Sequence, residues 1–280
     1  MNTENARQIA EWNGAAGESW RTNAERFDRM LRPFINALLI ASDIKPGEKV
    51  LEIGCGAGAL AIEIADRMAQ VTAVDVSENL LSLARRRQKE AGASIEFLIG
   101  DASLMQFEPN YDLLISHLGV MFFDEPVAAF ANMRKALKPN GRLACLTWRG
   151  TSENEAASMP ELASAPDIIA PARSPEAPGP FSFADSARVK RILMQAGFKE
   201  INIAPFDAIL RFGEGDDKDG ALEDAIVMAY QIGPLRRLLI NCAPSVKAAV
   251  HHRLRELFAT RLQQNCVELA GAAWVITALA

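Results

Sequence analysis

A chain of 280 residues that is 49% hydrophobic and 23% charged has the composition of a folded globular protein. It can build a sizeable core, which excludes disorder as its main state. Its 30 basic and 35 acidic side chains leave a formal charge of -5, which argues against a general nucleic-acid binder. Cys55, Cys145, Cys242 and Cys266 are widely spaced with no Cys-x-x-Cys pair, so neither a zinc site nor a disulfide framework is indicated and no metal is expected. No basic start followed by an apolar stretch and no run of ~20 apolar residues is present, so the expectation is a cytoplasmic protein with no secretory signal and no membrane span.

Residues 1–46 read as helical, with Ile9, Trp12, Trp20, Phe27, Met30, Leu31 and Ile35 set among polar neighbours before Pro46-Gly47 breaks the chain. Short apolar runs then alternate with helical stretches. Strands are expected at 49–53, 71–76, 95–99, 111–116 and 142–148. Helices are expected at 59–68, at 77–91 with Ser77 as N-cap, and from Pro126 to a stop before Pro139. This alternation predicts βαβ units and a mostly parallel sheet. Residues 151–180, rich in Pro, Ala, Ser and Glu, read equally as a surface loop or a substrate-side segment. A helix at 185–196 closed by Gly197, a sixth strand at 199–212 and a last strand at 272–278 follow. Between those two strands the spacing of Leu222, Ile226, Ala229 and Tyr230, then Leu254, Leu257, Phe258 and Leu262, predicts inserted helices over 213–265, punctuated by Gly233-Pro234 and Pro244.

The sharpest motif is Val50-Leu51-Glu52-Ile53-Gly54-Cys55-Gly56-Ala57-Gly58-Ala59, lying between a strand and a helix. Glycine lets the loop turn tightly and lets a ligand approach its backbone. The pattern is GxGxx(G/A), and Asp75 stands 21 residues beyond Gly54 at the end of the next strand. A carboxylate there can accept hydrogen bonds from both ribose hydroxyls. Two ligand classes fit: a nicotinamide dinucleotide, with its pyrophosphate over the helix N-terminus, or S-adenosylmethionine, which has no phosphate and lays its amino-acid end there.

Val50–Gly58 is followed in order by Val71–Ser77, Gly100-Asp101-Ala102, Tyr111–Ser116 and Leu137–Leu143. In this ordered set the chain resembles the class I S-adenosylmethionine-dependent methyltransferases, and within them a type 11 or ubiquinone/menaquinone-biosynthesis-like small-molecule branch. Trp12-Asn13-Gly14 with Trp20, and Gly119–Phe123, look like a bacterial form of that branch. The resemblance implies a doubly wound, Rossmann-like α/β sheet of seven strands in the order 3-2-1-4-5-7-6, the last antiparallel. The expected organisation is a helical cap at 1–46, a core at 47–212 plus 266–280, and the helical insertion at 213–265.

The resemblance also implies S-adenosyl-L-methionine as cofactor. Gly54, Gly56 and Gly58 would lie along its methionine part, with Cys55 a small loop residue among them and Glu52 nearby. Asp75 would hold the ribose, Val76 would pack on the adenine, Asp101 would accept from the adenine amino group, and the Ala102 amide would face the ring. Ser116 and His117 would sit beside the reactive methyl. Trp20 stands equally for a core residue or a wall of this site.

Methyl transfer is an in-line displacement at an activated sulfonium, so positioning and desolvation supply much of the catalysis. An acceptor that loses a proton also needs a base. His117 is the one histidine near the expected site, as a base or as a pocket wall, whereas His251 and His252 lie on a polar helical stretch. No Asn-Pro-Pro-Tyr-like motif follows the fourth strand, which argues against methylation of a nucleobase amino group or a glutamine side chain. The expected activity is methyl transfer to a small organic acceptor. The alternatives are an NAD(P)-dependent oxidoreductase and a non-catalytic S-adenosylmethionine-binding regulatory protein. The partners expected are the small-molecule acceptor and, as an option, a second copy in a homodimer.

Overall fold

The computed structural model describes residues 3–164, 168, 174–232, 235–239 and 241–280. Three helices come first: α1 (Thr3–Trp12), α2 (Ala15–Thr22) and α3 (Ala24–Ser42). In α3 the residues Phe27, Met30, Leu31, Phe34, Ile35, Leu38 and Leu39 recur at helical spacing and are all buried, so tertiary packing along one stripe holds this helix. Asp43 ends it in the left-handed conformation, with φ 49°.

The alternating part runs β1 (Lys49–Ile53), α4 (Ala59–Ala65), β2 (Gln70–Asp75), α5 (Glu78–Ala91), β3 (Ile95–Ile99), β4 (Tyr111–His117), α6 (Pro126–Arg134) and β5 (Leu137–Trp148). Then come α7 (Glu155–Ser164), α8 (Ser186–Gln195), β6 (Lys199–Glu214), α9 (Lys218–Gln231), α10 (Leu235–Leu239), α11 (Pro244–Ala259), β7 (Leu262–Gln263) and β8 (Cys266–Leu279). Ser77 caps α5 as expected, accepting from the Leu80 amide at 3.4 Å.

One sheet results, in the order β3-β2-β1-β4-β5-β8-β6. β1 to β5 pair in parallel, and β8 runs antiparallel between β5 and β6. This is the expected order once β8 is counted as the seventh strand. The correction is an eighth, two-residue strand: β7 folds back on β8 through Gln264, whose φ is 53°. The last strand also begins at Cys266 rather than 272, since its alternation is muted by Ala270, Gly271 and Ala272. The sixth strand runs two residues beyond the expected 212. The first core helix stops at Ala65, short of Met68 at φ 60°. The segment 151–180, read equally as a surface loop or a substrate-side segment, contains α7, while its residues 165–167 and 169–173, and Gly233-Pro234, lie outside the described residues.

The sheet winds outward from β1 in both directions, so right-handed crossovers put the helices of the two halves on opposite faces. α3, α4 and α5 neighbour one another, tied by the Arg87–Asp28 ion pair at 2.9 Å, and α6 packs on α8. With both faces covered, β4 carries a continuous buried run, Leu113 to Ser116, as parallel strands do. Among the described residues no helix is long and apolar enough to cross a membrane, and no cluster of His, Cys, Asp and Glu could hold a metal ion.

Candidate functional site

The crevice lies at the carboxyl ends of β1 and β4, where the winding reverses direction and open α/β sheets bind ligands. Gly54 leaves β1 with φ 69° and Gly56 follows with φ 52°, both in the left-handed region. A Cβ on Gly54 would lie 2.8 Å from the Gly119 Cα, and one on Gly119 would lie 2.7 Å from the Ile53 carbonyl oxygen. The loops after β1 and β4 therefore pack backbone on backbone. Gly56 is different: a Cβ there would meet only the Trp20 indole Nε1, at 3.9 Å. The loop opens there beneath Trp20.

Two buried carboxyls flank this loop. Asp75 accepts from the Gly56 amide through Oδ2 at 2.8 Å and from the Ser77 amide through Oδ1 at 2.9 Å. Burial pushes its pKa up while those amides pull it back. Glu52 is 2% exposed and its Oε2 has no hydrogen-bond partner. Burial, and then the charge of Asp75, push its pKa up to about 8. The register explains their proximity: Glu52 is level with Ala73, and Asp75 is two residues further along the same face.

β4 supplies the other wall. Ile115 is level with Glu52, so His117, two residues on, shares its face of the sheet. The His117 Nε2 is shut off from solvent and has no partner, and burial holds the ring's pKa down to about 4. Ser116 points the other way. It is fully buried, and its Oγ donates to the Ile53 carbonyl at 2.8 Å. Its hydroxyl thus braces β4 against β1 instead of facing the crevice, which corrects the place expected for it beside a reactive group. Cys55 is buried and its thiol is pushed well above its usual pKa, as suits a small loop residue and not a nucleophile.

Asp101 and Ala102 stand where expected, just after β3. Asp101 Oδ1 accepts from the Ser103 amide at 2.9 Å and the Ser103 hydroxyl at 2.6 Å, so at least half of this carboxylate shapes the turn. Ala102 is buried, and Asn132 of α6 steadies the same turn by donating to the Met105 carbonyl at 2.8 Å.

The N-terminal helices lie across the crevice. Asn13, between α1 and α2, donates to the Val76 carbonyl at 2.8 Å and accepts from the Glu78 amide at 3.4 Å. Trp20 stacks on Phe27 with centroids 4.2 Å apart, so it is at once core and roof. Trp12 meets Trp20 edge-on at 6.0 Å and Phe122, in the turn after β4, at 5.2 Å. Sequence reasoning missed Asn13 and Phe122 as parts of the site. Both lie in motifs noted for their resemblance, yet nothing local shows which loop each would reach.

Residues 50–141 match the family model described as a methyltransferase domain. Phosphoethanolamine N-methyltransferase 2 of Caenorhabditis elegans is 35% identical over 36% of this chain and 24% of its own length. The ubiquinone biosynthesis O-methyltransferase of Idiomarina loihiensis is 36% identical over 35% of this chain and 41% of its own. The matched stretch spans less than half the length of these curated relatives. Among solved structures, phosphoethanolamine N-methyltransferase 2 of Haemonchus contortus, in complex with phosphomonomethylethanolamine and S-adenosylhomocysteine, superposes with a TM-score of 0.56 at 17% identity, over 92% of this chain and 57% of that one. That likeness is one of fold.

Proposed function

From the premise that the chain carries a methyltransferase domain over residues 50–141, we propose that the protein transfers a methyl group from S-adenosylmethionine to a small organic acceptor. The observation that carries this reading is the Glu52 carboxyl, buried and unpartnered at Oε2 beside a glycine loop that opens under Trp20. A buried, orphaned acid is costly unless a ligand satisfies it, and an α-ammonium group matches its charge. What counts against the dinucleotide alternative is the match of residues 50–141 to a methyltransferase domain.

When bound, the cofactor supplies an activated methyl on a sulfonium. The chain's residues do the rest. Glu52 gives up its proton and holds the ammonium; Gly56 lets the backbone approach the methionine part, while Gly54 and Gly58, whose missing Cβ atoms make room for Gly119 and Ala84, hold the loop's path. Asp75 keeps its two amide bonds and has lone pairs left for the ribose hydroxyls. Val76 and Ala102 border the adenine, with Asp101 at its edge. Trp12, Trp20 and Phe122 exclude water from the reacting end, which strengthens the electrostatics inside. With a pKa near 4, His117 is a weak base and serves as a hydrogen-bonding wall of the acceptor site.

Acceptor choice falls to α9–α11, the insertion between β6 and β8. It reaches the roof: Ser19 of α2 donates to the Gln231 carbonyl at 2.9 Å, and Arg26 of α3 pairs with Asp224 of α9 at 2.7 Å. The test is calorimetry with S-adenosylmethionine, S-adenosylhomocysteine and NADH, followed by a metabolite-extract screen with labelled methyl donor. The expected result is micromolar binding of the first two, none of NADH, and label in a small product. NADH binding without the others overturns the proposal.

A further inference from the structure

The Trp20 indole is held firmly, yet its Nε1–H has no hydrogen-bond partner among the described residues. Trp274 shows the ordinary case, donating its Nε1–H to the Ala184 carbonyl at 2.8 Å. Three contacts fix the Trp20 ring. Its face stacks on Phe27, with the two planes 21° apart. Trp12 closes on it edge-on. Gly17, one turn earlier on the same side of α2, lets this helix settle onto the start of α5: a Cβ there would overlap the Trp12 carbonyl oxygen and lie 3.2 Å from the Ser77 Oγ. The unused N–H is therefore a donor already in place. It faces the one opening in the glycine loop. Among the described residues, and chain neighbours apart, Nε1 is the one heavy atom within 4 Å of a Cβ set on Gly56.

We propose that the Trp20 Nε1–H donates to the α-carboxylate at the amino-acid end of the cofactor. The assignment rests on the function proposed above and supplies a partner for the second charge of that end. An amino-acid group carries an ammonium and a carboxylate on one carbon. Glu52 answers the ammonium. The carboxylate only accepts, so it needs donors, and the loop has few to spare. The Gly54 and Cys55 amides donate to the Val74 carbonyl, the Gly58 amide to the Cys55 carbonyl and the Gly56 amide to Asp75. The neighbouring guanidinium groups are engaged as well, Arg21 with Glu18 at 2.6 Å and Arg87 with Asp28 at 2.9 Å. The indole N–H stands over the open position with nothing else to bond.

Trp20 thus does two things in one ring. Its face belongs to the core through Phe27, and its edge reads the ligand. A hydrogen bond to a carboxylate is stronger than one between neutral groups. Because the ring is already stacked in place, little side-chain freedom is lost when the bond forms. A phenylalanine at this position keeps a ring against Phe27 and has no donor, so the two roles separate by a single substitution.

The experiment is calorimetry of the full chain, wild type and Trp20→Phe, with S-adenosylmethionine and with decarboxylated S-adenosylmethionine, which keeps the ammonium and the sulfonium and lacks the carboxylate. Trp20→Phe should bind S-adenosylmethionine about tenfold more weakly and the decarboxylated ligand as the wild type does. The unchanged second affinity also shows that the variant is folded. A second reading leaves Trp20 in place: with nitrogen-15 in the indoles, the Trp20 N–H signal, assigned through phenylalanine substitutions at the other three tryptophans, should move downfield with S-adenosylmethionine and stay put with the decarboxylated ligand. Equal losses for both ligands in Trp20→Phe, no loss for either, or a shift of the Trp12 signal in place of the Trp20 signal overturns the assignment while leaving the proposed function standing. A wild type that binds neither ligand overturns the proposed function, and the assignment with it.

Discussion

The amide of Gly56 donates to the Asp75 carboxylate across 2.8 Å, tying the glycine loop after β1 to the end of β2. The same carboxylate holds the Ser77 amide that starts α5. Asp75 is therefore both a ribose ligand in the proposed function and part of the loop's own structure. Asp75→Ala should weaken cofactor binding by about 1.5–3 kcal/mol and also lower stability by about 1–3 kcal/mol, because two backbone amides lose a charged acceptor. Calorimetry and urea unfolding on the same protein separate the two effects. Normal binding by the folded variant would remove the ribose role.

Glu52 makes both stability and binding depend on pH. Its folded pKa, about 8, lies above the ordinary 4.5, so the folded state holds the proton more tightly than the unfolded one. This contribution is fully present below pH 4.5 and is lost as pH rises to about 8. His117 acts with the opposite sign: its pKa falls from 6.5 to about 4, so its contribution is present above 6.5 and is lost as pH falls toward 4. Between 6.5 and 8 only Glu52 of this pair titrates, and stability should decline there. Glu52→Gln should flatten that decline. Cofactor affinity should run the other way, rising with pH up to about 8 as the carboxylate becomes available, with proton release on binding at pH 7. Identical binding enthalpies at pH 7 in two buffers of different ionisation enthalpy would contradict this.

Gly119 tests close packing apart from backbone strain. Its φ is -88°, which any residue adopts, yet a Cβ would meet the Ile53 carbonyl at 2.7 Å and the Gly54 Cα at 3.0 Å. Gly119→Ala should cost about 1–3 kcal/mol through overpacking. Gly47 is the converse, with φ 84° and nothing within 4 Å of a Cβ. Gly47→Ala should cost about 1–2 kcal/mol from strain alone. Only the Gly119 variant should also impair cofactor binding, because only it shifts the loop.

Asn13→Ala removes the bonds that latch α1 and α2 to Val76 and Glu78. Each is worth about 0.5–1.5 kcal/mol. Since the latch lies over the crevice, the cofactor should dissociate several-fold faster while its association rate stays the same or rises. Stopped-flow tryptophan fluorescence reads both rates, with Trp20 as the reporter.

His117→Ala should lower the maximal rate less than tenfold, because a general base would contribute about 10²–10⁴ and this imidazole is held neutral with a pKa near 4. The rate should show no inflection between pH 6 and 8 that the variant abolishes. A larger fall with such an inflection would make His117 the base.

What the sequence by itself determined is what local order encodes. The strand, the glycine loop, the following helix and the acid at the end of the next strand are all written within 28 residues, 49–76. Each reads correctly because apolar runs, glycine and caps act over a few residues at a time. The parallel sheet and its order followed from that alternation and from resemblance. Only the tertiary structure decided which side chains are left without partners and which are already used. Glu52 and Ser116 are both polar residues near strand ends, yet one has an orphaned oxygen while the other is spent on the Ile53 carbonyl. Strand pairing brings Ile53 to Ser116 across 63 residues, and no local pattern records that. Asn13 meets Val76 across the same interval of 63, because α1 and α2 dock on the crevice through packing and not through propensity. The start of β8 was invisible for a related reason: Ala270, Gly271 and Ala272 bury too little area to mark a strand, and it is pairing with β6, residue by residue, that makes them one.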